Sequence, residues 1–227
     1  MKKTIVVTGA TKGIGRAIAE KFAQEGFQVL ICARNKPEGD DDFLNAVTFF
    51  QADLSKKDEV LAFANFVKSK ADKVDILVNN TGFFLPGQVH NEAEGTIEAM
   101  IETNVYSAYH LTRALVGDMM ERKAGHIFTI CSTASITAYT NGGSYCISKF
   151  ALLGMNKVLR EELKPFQVRV TSILPGATLT ASWDGVDLPA ERFIDPKDVA
   201  EVVWTAHAMP ATTVLEEILM RPQLGDL

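Results

Sequence analysis

Short runs of consecutive apolar residues, each followed by a stretch in which apolar residues recur at helical spacing, constrain this chain more than any other feature. Ile5-Val6-Val7 is the first run; Ile14, Ile18 and Phe22 follow at helical intervals, and Gly26 ends the segment. Val29-Leu30-Ile31-Cys32 makes the next strand. Val47 to Gln51, a helix through Val60, Phe63 and Val67, and the strand Asp75-Ile76-Leu77-Val78 repeat the pattern. A helical stretch from about Glu98 to Glu121 leads to Ile127-Phe128-Thr129-Ile130, and another from about Ser144 to Leu163 leads to a strand over Val168 to Ile173. Pro196 through Ala206 reads as a last helix with proline at an early position, and Leu215 to Met220 as a last strand. Strands that are apolar throughout, rather than at alternate positions, are covered on both faces. The predicted fold is therefore α/β: a Rossmann-like, doubly wound, mainly parallel seven-stranded sheet with helices on both sides. Between the second and third strands, Lys36 to Asp42 is rich in charge, Gly and Pro, so the covering helix there is predicted to be abbreviated or missing.

With 227 residues, 47% of them hydrophobic, the chain can bury a large core, and no stretch reads as a linker; residues 1–227 are predicted to form one domain. The net charge of −5 offers no broad attraction to nucleic acid or an anionic membrane. Gly9 and Lys12 interrupt the N-terminal apolar run too soon for a signal peptide, and no apolar stretch is long enough to span a bilayer. Cys32, Cys131 and Cys146 are odd in number and far apart, which fits a reduced, cytoplasmic protein. His90, His110, His126 and His207 form no ligand pattern, and no metal is expected.

Directly after the first strand comes Gly9-Ala10-Thr11-Lys12-Gly13-Ile14-Gly15, which opens a helix. Backbone amides at a positive helix end suit pyrophosphate, although glycines at this spacing also serve simply to bring a helix close to a sheet. At the end of the second strand an acidic residue would bind a ribose diol and repel a 2′-phosphate. Ala33-Arg34 stands there instead, with Lys12 in the glycine loop. Two cations converging on the adenosine ribose fit NADP(H); two solvated surface charges are the alternative. Asp53 after the third strand can accept a hydrogen bond from adenine or cap its own turn through Ser55.

At the other end, Asn79-Asn80-Thr81-Gly82 follows the fourth strand, where ligand loops gather in parallel sheets. Ser132 ends the strand-like run Ile127 to Cys131, and Tyr145 and Lys149 lie one helical turn apart on a common face. A tyrosine ordinarily titrates near about 10, so donating its proton at neutral pH needs a partner such as a nearby ammonium. In this arrangement Tyr145 would protonate a carbonyl oxygen, Ser132 would hold the developing alkoxide and a nicotinamide would deliver hydride; a simple turn serine and a core-edge tyrosine are the alternative. Asn104, inside a helical stretch, can bend the helix or retain a water.

These motifs together resemble the short-chain dehydrogenase/reductase family over nearly the whole chain: Thr8 to Gly15, Asp53, Asn79 to Gly82, Asn104, Ser132, Tyr145-Cys146-Ile147-Ser148-Lys149 and Pro175-Gly176. The resemblance implies an NADP-dependent enzyme. Tyr145 would be the acid/base, Lys149 would bind the nicotinamide ribose and tune Tyr145, Ser132 would hold the carbonyl oxygen, and Asn104 would support a water relay. The cofactor would meet Gly9, Thr11, Lys12, Gly13, Ile14 and Gly15, then Arg34, Asp53 and Leu54, then Asn80, Thr81 and Gly82, and finally Pro175, Gly176, Thr178 and Thr180. Thr81 stands where the family usually has alanine, which adds a hydroxyl without removing a catalytic group. The stretches Tyr145 to Phe150 and Glu216 to Pro222, with Gly225-Asp226, are similar to bacterial sepiapterin-reductase-like members. That likeness implies a small ketone, diketone or sepiapterin-like pterin as substrate. A 3-oxoacyl thioester reductase and a nonenzymatic NADP(H) sensor are the alternatives. Trp183 is expected either to wall the substrate end or to pack against the scaffold; an acidic pterin-recognising residue could lie in Asp184 or Asp187, with solvated loop charges as the alternative. The family's usual dimers and tetramers imply a homodimer or homotetramer through the helices near Ala99 to Met120 and Leu152 to Leu163. Leu111, Leu115, Leu152, Met155 and Leu159 form apolar stripes there, which the sheet core can equally well consume, and Leu215 to Met220 can place another pair of subunits edge to edge.

Overall fold

The computed structural model describes residues 2–37, 41–183 and 185–227. Seven strands, β1 (Thr4–Thr8), β2 (Gln28–Ala33), β3 (Thr48–Gln51), β4 (Ile76–Asn79), β5 (Gly125–Ile130), β6 (Val168–Pro175) and β7 (Glu217–Met220), form one sheet in the order β3-β2-β1-β4-β5-β6-β7. Every neighbouring pair is parallel. The helices are α1 (Gly13–Gln24), α2 (Asp41–Ala46), α3 (Lys57–Lys70), α4 (Thr96–Ile101), α5 (Ser107–Arg122), α6 (Gly143–Leu163) and α7 (Pro196–Ala208).

The pleat of the central strand explains how both faces are filled. Ile5 and Val7 of β1 point to one side, where Ile18 and Phe22 of α1 and Val199 and Val203 of α7 pack against them. Val6 points to the other, against Val60, Phe63 and Val67 of α3 and Leu111 and Leu115 of α5. Each such side chain, buried outright, contributes about 1.5–3 kcal/mol relative to exposure. An apolar residue at every strand position is what a sheet covered on both sides requires.

Three details refine the sequence reading. The link between β2 and β3 does carry a short helix, α2, as the abbreviated stretch implied. The single helix expected over about Glu98 to Glu121 is instead α4 and α5 joined by a π-helical turn, Glu102–Tyr106. That turn contains the fully buried Asn104, whose side chain bonds to another loop, so tertiary hydrogen bonding overrides regular helix winding at this point. The last strand starts at Glu217 rather than Leu215, where its pairing with Ser172 of β6 begins.

Strand order reverses between β1 and β4, so their connections leave on opposite faces and open a crevice at the C-terminal sheet edge. The glycine loop, Asn79-Asn80, Ser132 and Pro175-Gly176 all emerge at that edge. No helix among the described residues is long and apolar enough to cross a membrane.

Candidate active site

As the chain turns from β1 into α1, Gly9 and Gly13 adopt φ of +62° and +58°, a left-handed conformation open mainly to glycine. Gly15 is constrained by contact instead: a Cβ there would strike Asn80 Nδ2 and come within 2.6 Å of the Gly9 carbonyl oxygen. Asn80 fastens the loop by donating from Nδ2 to the carbonyl oxygens of Thr8 at 2.8 Å and Gly9 at 3.1 Å. Thr8 Oγ1 in turn accepts from the amides of Asn80 at 2.9 Å and Thr81 at 3.0 Å, tying the ends of β1 and β4 together. The first turn of α1 carries no acidic residue and no side-chain cap. Its amides and the positive end of the helix dipole are therefore suited to an anion such as a pyrophosphate.

Lys12 and Arg34 are exposed and line one cavity of about 780 Å³ together with Gly9, Gly13 and Ile14. The carbonyl of Arg34 accepts from Gln51 Nε2 at 2.9 Å, which fixes the backbone at the end of β2. Asp53 takes the capping option open to it: its Oδ1 accepts from the amide and the hydroxyl of Ser55 at 3.1 and 2.9 Å. Burial opposes its ionisation, yet those bonds and the charges of Lys56 and Arg34 hold the carboxyl below its usual range. The side chain of Leu54 is buried among the residues beneath α3 and can offer only its backbone to a ligand. Thr11, Gly15, Asp53, Leu54, Thr81 and Asn104 lie outside the cavity wall; the Thr81 hydroxyl sits against Gly9.

Ser132, Tyr145 and Lys149 meet at the same cavity. Ser132 caps the 3-10 turn Thr133–Ser135, accepting at Oγ from the Ala134 amide at 3.1 Å. Because this bond uses a lone pair, the hydroxyl hydrogen stays available as a donor. Lys149 is only 5% exposed and donates from Nζ to the Ile130 carbonyl oxygen at 3.0 Å. Its Nζ lies 5.8 Å from the centroid of the Tyr145 ring. Asn104 does not face the cavity: its Oδ1 accepts from the Phe83 amide at 2.9 Å, and its Nδ2 donates to the Phe83 carbonyl at 3.1 Å and to Ser148 Oγ at 2.9 Å. Gly82 threads between Asn104 and Lys149, where a Cβ would lie 3.2 Å from Asn104 Oδ1 and 3.7 Å from Lys149 Nζ.

Pro175, Gly176, Thr178 and Thr180 close the cavity from the far side, with Thr180 Cγ2 3.1 Å from where a Gly13 Cβ would be. Thr178 Oγ1 donates to the Gly176 carbonyl at 3.0 Å, which shapes this segment. Trp183 does line the cavity and packs edge-on against Phe193, centroids 5.2 Å apart. Asp187 is exposed and outside the wall, and Asp184 lies outside the described residues. Sequence reasoning missed Phe83, Phe84 and Tyr139. The first two follow directly on Asn79 to Gly82 and were findable from that position; Tyr139 sits in an irregular segment with no periodicity to place it. Phe84 stands edge-on to Tyr145 at 4.9 Å between centroids. Partial burial, with Tyr145 and Cys146 nearby, raises the Tyr139 phenol and keeps it protonated. The site thus offers the hydroxyls of Ser132 and Tyr145 and a buried ammonium at one end, and two exposed cations with a glycine-lined helix end at the other.

The sequence profile of the short chain dehydrogenase family matches residues 3–188. A sepiapterin reductase of Chlorobaculum tepidum is 32% identical, the match covering 100% of this chain and 99% of that protein. A metagenomic short-chain oxidoreductase, solved in complex with NADP, superposes with a TM-score of 0.84 at 32% identity, covering 97% of each chain. An alcohol dehydrogenase from the archaeon Thermococcus sibiricus, complexed with 5-hydroxy-NADP, gives 0.89 at 25% identity, covering 100% of this chain and 99% of that one.

Proposed function

The chain belongs to the short-chain dehydrogenase/reductase family, and from that premise we propose that it reduces the carbonyl of a small ketone, diketone or sepiapterin-like pterin with NADPH. The observation that carries this reading is that Ser132, Tyr145 and Lys149 share one cavity with Lys12 and Arg34. Lys12 and Arg34 would hold the 2′-phosphate, and the amides opening α1 the pyrophosphate. NADP in the metagenomic relative and 5-hydroxy-NADP in the archaeal one support the same choice. When bound, the reduced nicotinamide supplies the hydride.

This chain's residues handle the oxygen. Tyr145 gives its phenolic proton to the carbonyl oxygen as negative charge develops there, and Ser132 donates a second hydrogen bond to the same atom. Lys149, fixed by Ile130, places a positive charge beside the phenol as it loses its proton. Phe84, Tyr139 and Trp183 give the substrate end an aromatic lining, which would suit a compact carbonyl compound better than a carrier-bound thioester.

The test is NADPH consumption, followed by absorbance, against a panel of small ketones, diketones, a pterin and a 3-oxoacyl thioester. We expect turnover of the compact substrates, with kcat/KM at least about tenfold higher for NADPH than for NADH, and loss of most of that preference in Arg34→Ala. Equal or better use of NADH would overturn the cofactor choice. Turnover confined to the thioester would overturn the substrate class. NADPH binding without turnover of any carbonyl would leave a sensor rather than an enzyme.

A further inference from the structure

Glu92 lies in the loop between β4 and α4, yet its carboxylate caps a helix distant in sequence. Its Oε1 accepts from the Ser144 amide at 2.8 Å, its Oε2 accepts from the Ser144 hydroxyl, and Ser144 is 2% exposed. Helix α6 has no side-chain cap of its own at Gly142, and the Ser144 amide in its first turn is satisfied by this remote acid. The seat is shaped for it. A Cβ on Gly87 would lie 2.7 Å from Glu92 Cγ and Oε1, and one on Gly143 would strike Oε1 and come 2.7 Å from the Gly87 carbonyl oxygen. Around this seat the loop is stitched to the start of α6. The Gly87 amide donates to the Asn141 carbonyl at 3.0 Å, Gln88 Nε2 donates to Asn141 Oδ1 at 2.8 Å, and Gly87 pairs with Gly142 in an isolated parallel bridge.

Tyr145 is the residue after Ser144. The same loop is gripped upstream by Asn104 at Phe83, and between the two grips Phe84 presses edge-on against the Tyr145 ring. We propose that Glu92 is a positioning residue for the proton donor, fixing where α6 begins and where Phe84 holds the Tyr145 ring. This inference rests on the reading of Tyr145 as the proton donor.

The comparison is between Glu92→Gln, which keeps a carboxamide oxygen able to accept the Ser144 amide, and Glu92→Ala, which keeps none. For Glu92→Ala we expect kcat to fall at least about tenfold while KM for the carbonyl and the NADPH dissociation constant stay within about twofold, with a shifted limb in the kcat–pH profile. Glu92→Gln should recover to within about threefold of wild type. Without cofactor or substrate, amide hydrogen exchange over residues 144–148 should quicken in Glu92→Ala and return towards wild type in Glu92→Gln. If Glu92→Ala does not fold, Ser144→Ala, which removes only the hydroxyl bond, should still lower kcat by about threefold at unchanged KM. A folded Glu92→Ala with a lower melting temperature but unchanged kcat and pH profile would overturn the inference, as would Glu92→Gln no better than Glu92→Ala. Near-wild-type turnover in Tyr145→Phe would overturn the proton-donor reading and this inference with it; loss of turnover in Tyr145→Phe beside intact Glu92→Ala would overturn the inference alone.

Discussion

A lysine ammonium that is only 5% exposed costs free energy to bury unless something nearby uses its charge. Among the described residues, Lys149 has one backbone carbonyl as hydrogen-bond partner, that of Ile130, and a place in the cavity wall beside Tyr145. That is a sparse set of partners for three N–H donors, and it suits a group whose remaining donors serve a ligand and whose charge serves a neighbouring phenol. Tyr145→Phe removes the hydroxyl and almost no volume, so we expect turnover at least about a hundredfold lower, with NADPH affinity and melting temperature close to wild type. Lys149→Met should weaken NADPH binding as well as turnover, whereas Ser132→Ala should act chiefly on turnover, with a smaller loss of stability from the missing cap on the Ala134 amide, because its hydroxyl hydrogen serves the substrate oxygen rather than the cofactor. Steady-state kinetics alongside separate cofactor titrations distinguish the three, and a Tyr145→Phe enzyme near wild-type rate would remove the mechanism.

At the level of elements, what could be read in the sequence was what depends on local periodicity. Ile5-Val6-Val7 and Val29 to Cys32 are apolar at every position because both sides of the sheet are covered, so strand, fold class and the loop at Gly9 to Gly15 follow from the chain itself. The π turn at Asn104 does not, since it answers to the backbone of Phe83 in a distant loop. Glu92 was hidden for the same reason: nothing within its own segment distinguishes a helix cap borne elsewhere from a solvated loop acid. The junction of β5, β6 and α7, at the sheet end away from the cavity, was equally silent. There His126 stacks on Phe128 at 3.9 Å, shares a hydrogen bond with Thr171 Oγ1 at 2.9 Å, and lies 5.9 Å from His207. Arg169 donates to the carbonyls of His207 at 3.0 Å and Met209 at 3.1 Å, closing the end of α7. Burial, then the charge of Arg169, lowers both imidazoles, His126 well below its ordinary value and His207 to about 4. Both folded values lie beneath the unfolded one of about 6.5, so the unfolded chain takes up protons that the folded chain refuses. Their contribution is intact above about pH 6.5 and shrinks as pH falls towards about 4. Melting temperature should therefore decline across that window, and His207→Gln should flatten the decline; an unchanged slope in that variant would show that other groups govern it.

For the whole molecule, the question is which surface remains once the sheet is covered. Leu111, Leu115 and Leu152, expected as candidates for a subunit contact, are instead buried in the core at 0%, 3% and 2% exposure, so the sheet has consumed that stripe. The same helices nevertheless leave other apolar side chains in solvent: Tyr109 on α5, and Ile147, Phe150 and Val158 on α6, with Tyr106 in the π turn between α4 and α5. Scattered exposed hydrophobes are ordinary, but Ile147 and Phe150 are three residues apart on one helix, and neighbours at that spacing share a face. Beyond the far edge of the sheet, β7 leaves Leu219 at 47% exposure. A chain of this family with such faces is expected to associate, and a homodimer or homotetramer would cover them. Light scattering at micromolar concentrations should give a mass that is a multiple of 24.8 kDa, and Phe150→Glu should lower it by placing a charge in the contact. A mass that stays near 24.8 kDa at every concentration would show that these side chains remain in water and that the catalytic unit is the single chain.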